Sequence, residues 1–141
     1  MSRFLLDTNV LSEFARSQQA DRRVDRWIHI TPEEHIFTSV LALAEIRFGI
    51  ELLPAGKRRN QLEAWLDELR LSFEFRLLPV TATIAERWAV LSAQARRSGS
   101  LVSVADGLIA ATAVEHELTL VTRNVKDFAG LEIEILNPWH A

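Results

Sequence analysis

Very short apolar runs alternate with long helical stretches in this chain, and few architectures accommodate that pattern. Arg3-Phe4-Leu5-Leu6 opens it as a strand, Asp7-Thr8-Asn9 ends the strand, and Val10-Leu11-Ser12-Glu13-Phe14 begins a helix. Residues 21–30 form a second helix, with Val24, Trp27 and Ile28 at helical spacing. A turn at Thr31-Pro32-Glu33-Glu34 leads to a second strand, Ile36-Phe37-Thr38. Ser39 then caps a helix over 40–53. After a break at Pro54-Ala55-Gly56, residues 57–71 carry Leu62, Trp65, Leu66 and Leu69 on one stripe. A strand follows at 75–80, then a helix over 83–97 with Ile84, Trp88, Leu91 and Ala95 inward. Another helix starts at Ser103 and runs to about 117, and strands follow at 118–121 and 133–136. The alternation predicts an α/β fold: a small, mostly parallel sheet flanked by helices, in one domain spanning 1–141.

Composition narrows the function classes. The 48% apolar and 25% charged content is that of a globular protein. With no cysteine, disulfides, thiolate nucleophiles and thiolate zinc sites are all excluded. That absence fits a reducing compartment, and the expected location is the cytoplasm. The apolar run from Val40 to Ala44 stops at Glu45, far short of the ~20 residues a membrane span needs. Asp7 interrupts the N-terminal apolar stretch before a signal peptide could form.

A net charge of -3 does not suggest a nucleic-acid binder. If four acids gather in one site, however, the remaining charges nearly cancel. Of the 16 basic residues only Lys57 and Lys126 are lysines. Arginine suits bidentate phosphate contact, and GC-rich coding gives the same bias.

Four acids stand where acids are not expected. Asp7 follows an apolar strand at its carboxyl end, where open α/β sheets place their sites; alone it reads equally as a helix cap. Leu41, Glu45, Phe48 and Leu52 share one helical stripe, which puts Glu45 inside an apolar face and in need of an arginine or a metal. Asp106 completes a Ser103-x-x-Asp capping pattern, yet it shares its face with Ile109, Ala110 and Ala113. Asp127 lies in the loop after the fourth strand. Hard oxygen donors in a cluster suit Mg²⁺ or Mn²⁺. His29, His35, His116 and His140 are scattered and offer no rival ligand set.

At these residues the chain resembles the PIN-domain ribonucleases, of the VapC toxin type and the FitB-like subgroup. The first matching piece is Phe4-Leu5-Leu6-Asp7-Thr8-Asn9-Val10-Leu11-Ser12-Glu13, and the second is Leu43-Ala44-Glu45-Ile46-Arg47-Phe48-Gly49-Ile50. Val104-Ala105-Asp106-Gly107-Leu108-Ile109-Ala110-Ala111-Thr112-Ala113 is the third. Leu118-Thr119-Leu120-Val121-Thr122-Arg123-Asn124-Val125-Lys126-Asp127-Phe128 is the fourth, and Asn137-Pro138-Trp139 closes the chain. The family often has proline where Ser103 stands, a departure that bears on how the helix starts and not on chemistry.

The resemblance implies a PIN-domain fold and a metal-dependent endoribonuclease acting as the toxin of a toxin–antitoxin pair. Asp7, Glu45, Asp106 and Asp127 correspond to the family's acidic quartet. Asp7 and Asp106 are the most direct ligands for Mg²⁺ (or Mn²⁺), Asp127 completes the site, and Glu45 holds or orients a metal-bound water. Thr8, Asn9, Thr122 and Asn124 are candidates to support them, with turn and capping roles as the alternative. The implied partners are RNA, a cognate antitoxin of the VapB or FitA kind, a second copy in a homodimer, and DNA bound through the antitoxin. Arg16, Arg47, Arg96, Arg97, Arg123 and Lys126 are candidate RNA contacts, or else solvated charges. Trp27 and Trp65 are candidate anchors for the antitoxin, or else core or dimer contacts.

Other readings fit less well. A receiver domain needs adjacent acids after its first strand, but Thr8-Asn9 follows Asp7; the strand at 75–80 ends in Thr81 without an acid. An aspartyl phosphatase needs an acid where Asn9 stands. A PIN fold that only binds is disfavoured by the intact quartet. A non-toxin PIN nuclease in RNA processing or structure-specific DNA cleavage is the remaining alternative.

Overall fold

The structure is a computed structural model, and it describes residues 2–16 and 19–140. The chain order is β1 (Phe4–Leu6), α1 (Thr8–Ala15), α2 (Arg22–Ile30), β2 (Ile36–Ser39), α3 (Val40–Glu51), α4 (Lys57–Ser72), β3 (Leu77–Leu78), α5 (Ala82–Arg97), α6 (Val104–Glu115), β4 (Thr119–Val121) and β5 (Ile135–Leu136). Single 3₁₀ turns cover Glu33–His35, Val125–Phe128 and Pro138–His140. The five strands pair in the order β3-β2-β1-β4-β5, and every pairing is parallel.

Successive residues of a strand face opposite sides, and both sides of this sheet are covered. Leu6 and Val121 join a core with Val10, Leu11, Val24, Trp27, Ile46 and Leu66, under α1 to α4. Leu5 and Leu120 join the other core with Ile109, Ala110, Ala113 and Phe128, under α6. Covering on both faces is why β1 reads as an unbroken apolar run. The alanines of α6 let that helix lie close to the sheet, and α5 packs along its outer side.

Most expected elements are present, with shifted ends. The strand expected over 75–80 is reduced to Leu77–Leu78. Phe75 instead sits in a tight turn, closed by Arg76 N–H donating to the Phe73 carbonyl at 2.8 Å, and it is 92% exposed. That turn takes Phe75 away from β2, and Pro79, with no N–H to donate, ends the pairing after Leu78. Phe75→Ser is therefore expected to change unfolding free energy by less than about 0.5 kcal/mol, as surface substitutions usually do. Leu5→Ala, from the core, should cost about 2–5 kcal/mol. Urea denaturation of the two variants checks both.

Candidate active site

β1 and β4 lie side by side at the centre of the sheet, and the chain leaves both at the same edge. Asp7 stands at the first of these exits, 5% exposed, with its N–H donating to the Val121 carbonyl at 3.0 Å. Its Oδ1 accepts from the Thr8 N–H at 2.8 Å, so it does cap α1. Its Oδ2 accepts from the Thr122 hydroxyl at 2.8 Å and from Asn9 Nδ2 at 3.3 Å. Capping and clustering with the other acids are thus two uses of one side chain.

The second exit is tied to the first. Asn9 Oδ1 accepts from the Arg123 N–H at 3.1 Å, and the Asn124 N–H donates to Thr122 Oγ1 at 3.1 Å. These bonds fix the start of the turn that carries the exposed Asp127, whose own N–H donates to the Asn124 carbonyl at 3.0 Å. Asn9 and Thr122 therefore position two acids at once.

Asp106 lies in the first turn of α6, with its N–H on Ser103 Oγ at 3.1 Å. The capping pattern is real, and the acid also faces the other carboxylates. Burial pushes its carboxyl up despite the Ser103 hydrogen bond, and the charges of Asp7 and Asp127 add to the rise. Asp7 is also raised, first by burial; the bonds from Thr122, Thr8 and Asn9 oppose this, and Asp127 adds repulsion. Glu45 is raised by desolvation, opposed by Thr8 and assisted by Asp7 and Asp106. Mutual repulsion links the four acids into one electrostatic unit.

Glu45 reaches the site by a different route from the expected one. The stripe of Leu41, Glu45, Phe48 and Leu52 is not the buried face of α3. Ala42, Leu43, Ile46 and Ile50 are buried, while Phe48 is 66% and Leu52 71% exposed. The helix leaves β2 through Ser39, whose hydroxyl accepts from the Leu41 N–H, and the opposite stripe meets α1 and α4. Glu45 thus stands on the wall of an open groove, where Thr8 Oγ1 donates to its Oε1 at 3.0 Å. That groove, about 740 Å³ in volume, runs between α1, α3 and α4 and is lined by Thr8, Ser12, Arg16, Glu45, Arg58 and Trp65 among others.

Arg58 was not among the expected RNA contacts; its position just after the Pro54-Ala55-Gly56 break, at the head of α4, was the available signal. Arg16 lines the groove, Arg47 pairs with Glu51 at 3.5 Å, and Arg123 lies over the Trp139 ring at 5.2 Å. Trp27 is a core residue, 8% exposed and edge-on to Phe4, so it cannot anchor a partner. Trp65 is half-buried and faces the groove.

Among the described residues, none of the four acids is in an ion pair. Nor do any three acidic or histidine side chains there come together closely enough to hold a metal ion between them. An open set of oxygen donors fits Mg²⁺, which commonly binds through one or two carboxylates and keeps several waters.

A family model described as PIN domain matches residues 4–132. The chain belongs to the PIN-domain family. It is 40% identical to the VapC ribonuclease Y4jK of Sinorhizobium fredii over 136 residues, 96% of each chain. It is 39% identical to Toxin FitB of Neisseria gonorrhoeae over 137 residues, 96% of this chain and 98% of FitB. The crystal structure of FitAcB from Neisseria gonorrhoeae superposes with a TM-score of 0.90 at 37% identity, covering 98% of this chain and 99% of its match. A structure of FitAB bound to an IR36 DNA fragment gives 0.89 at the same identity, covering 98% and 96%.

The raised carboxyls set a pH dependence. Each binds its proton more tightly folded than unfolded, so the metal-free PIN domain loses stability as pH rises from ordinary carboxylate values through the raised ones. Asp106→Asn should raise the metal-free melting temperature at neutral pH, with the gain vanishing as pH falls to the ordinary range. Asp7→Asn should gain less, because its amide would face the Asn9 donor. Glu45→Ala should also raise the melting temperature, since Glu45 is exposed and its truncation removes a raised carboxyl without emptying a packed site. All three should lower cleavage by about 100-fold or more, the scale of losing a group that acts on the reacting atoms. Paired melting and cleavage assays across pH test this.

Proposed function

We propose that this chain is the toxin of a toxin–antitoxin pair, a Mg²⁺- or Mn²⁺-dependent endoribonuclease of the cytoplasm. One observation carries the catalytic part: four carboxylates share one end of a parallel sheet, and no basic side chain among the described residues neutralises them. Mutual repulsion favours any cation that enters. Asp7 and Asp106 would hold the metal, and Asp127 would complete its surroundings. The metal would supply charge neutralisation at the phosphate and a more acidic water. Thr8 fixes the Glu45 carboxylate at the groove wall, where it can accept a proton from water attacking in line with the leaving oxygen. Such attack leaves a 5′-phosphate and a 3′-hydroxyl. Arg16 and Arg58 stand where the flanking phosphates of RNA would pass.

The same groove suits an antitoxin segment. A partner arginine would be drawn to the carboxylates, and apolar side chains would cover Trp65. Beyond Trp65 lies a recess of about 420 Å³ lined by Phe14, Ile28, Leu69 and Phe73 among others. The resemblance to FitB and the VapC ribonucleases supports such an antitoxin, with DNA bound through it. No helix among the described residues is long and apolar enough to cross a membrane.

Induction of the chain alone should arrest growth, Asp7→Ala should not, and co-expression with the neighbouring small reading frame should restore growth. The purified protein should cut RNA with Mg²⁺ or Mn²⁺ and stop in EDTA. Cleavage that survives chelation would overturn the metal role. A harmless chain that cleaves RNA well would replace the toxin role with RNA processing, and a preference for branched DNA would move the substrate to DNA.

The exposed Phe48 and Leu52 stripe beside Glu45 is the face we assign to a second copy of the chain, giving a homodimer. Phe48→Glu should shift the sedimenting species from dimer to monomer without lowering the melting temperature. A wild-type protein that sediments as a monomer at all concentrations would refute the assignment.

A further inference from the structure

α5 carries none of the four acids, yet two of them are borne on segments that press against it or its end. The first contact is at Gly107, next in sequence to Asp106 and buried in α6. A Cβ there would lie 2.6 Å from Trp88 Cδ1, 2.7 Å from Trp88 Nε1 and 3.2 Å from Ser92 Oγ. Trp88 and Ser92 are one turn apart on α5, so the indole edge and the hydroxyl sit directly on the α6 backbone. Neither Trp88 Nε1 nor Ser92 Oγ has a hydrogen-bond partner among the described residues, and both are buried. The contact is therefore one of shape. Its spacing is set by the missing side chain at Gly107, not by a bond that could stretch.

The second contact is at Gly130, three residues after Asp127. Its φ is +89°, a backbone conformation that side chains disfavour, and a Cβ there would collide with Ser100 Oγ and Cβ. Ser100 is tied to α5 by its N–H, which donates to the Ala95 carbonyl at 2.9 Å. Between Asp127 and Gly130 the chain is pinned by Phe128, 1% exposed in the same core as Ile109 and Ala110 of α6.

We propose that α5 is the template that sets where Asp106 and Asp127 stand, and that Gly107 is a positioning residue for the metal site. The role rests on the proposed metal-dependent function. It differs from general packing because the contacts lie one and three residues from the two acids. Asp7 is held by Thr122 and Asn9, which also order the start of the turn before Asp127, so the α5 contacts decide above all where Asp106 stands relative to that pair. A Cβ at 107 forces α6 and the Trp88 side chain apart, and the share of that shift taken by α6 carries Asp106 with it.

The test is Mn²⁺ binding to the full chain by titration calorimetry without RNA, with circular dichroism and melting as fold controls. Gly107→Ala is expected to weaken Mn²⁺ by about 10-fold or more, the scale found when groups orienting metal ligands are changed. The helical signal should be retained. Trp88→Leu, which removes the indole edge, should also weaken Mn²⁺. The double variant should bind better than Gly107→Ala alone, since the new methyl then has room, and this coupling is what a merely structural role would not give. RNA cleavage should follow the same order, with the loss in kcat and in the Mn²⁺ needed for half activity, and KM for RNA little changed. Should Gly107→Ala not fold, Trp88→Leu decides the matter: wild-type Mn²⁺ affinity in that variant overturns the proposal. Wild-type affinity in a folded Gly107→Ala, or a double variant no better than the single, overturns it as well. A parent protein that binds no Mn²⁺ overturns the metal reading and the positioning role together, whereas a parent that binds with an unaffected Gly107→Ala overturns the positioning role alone.

Discussion

The structure depends on a buried carboxylate held by donors from two strand exits. Asp7 accepts from Thr8, Thr122 and Asn9, and the last two also order the turn before Asp127. A buried acid is costly unless hydrogen-bonded. Three donors reduce that cost, yet the carboxyl stays raised because burial outweighs them. The residual strain is the basis of the site: the same groups that tolerate Asp7 leave it short of positive charge.

That shortage is shared. Burial and neighbouring acids act in the same direction on Asp7, Glu45 and Asp106. Elsewhere the surface arginines are spent on ordinary partners, such as Arg59 with Glu63 at 2.9 Å and Arg87 with Glu115 at 2.9 Å. A salt bridge to any acid of the quartet would stabilise the fold and close the site to cations. The fold gives up some metal-free stability to keep that end of the sheet open, a common exchange at functional sites.

The groove adds a second constraint. Glu45 stands on the α3 wall, Arg16 at the end of α1 and Arg58 on α4, with Trp65 partly exposed between this groove and the apolar recess. A phosphate backbone and an arginine-bearing peptide are attracted to different parts of the same surface. If RNA and the antitoxin both bind here, as proposed, their competition needs no conformational change, only overlap.

Much of this was legible in the order of residues. A strand as short as Phe4–Leu6 that is apolar at every position must be buried on both faces, which fixes a parallel sheet with helices on each side. An acid directly after it must lie at the sheet's carboxyl edge, and the alanines after Asp106 must bring α6 close. Tertiary structure alone decided the rest. Glu45 sits on an apolar stripe by helical spacing, but which stripe of α3 turns inward depends on how Ser39 launches the helix and where α1 and α4 lie. Phe75 has the composition of a strand, but the turn closed between Phe73 and Arg76 takes it away from β2. The closeness of Gly107 to Trp88 joins residues on different helices, and no local pattern encodes such a distance. Periodicity along one chain determines which faces are apolar; only packing between elements determines which of those faces find a partner.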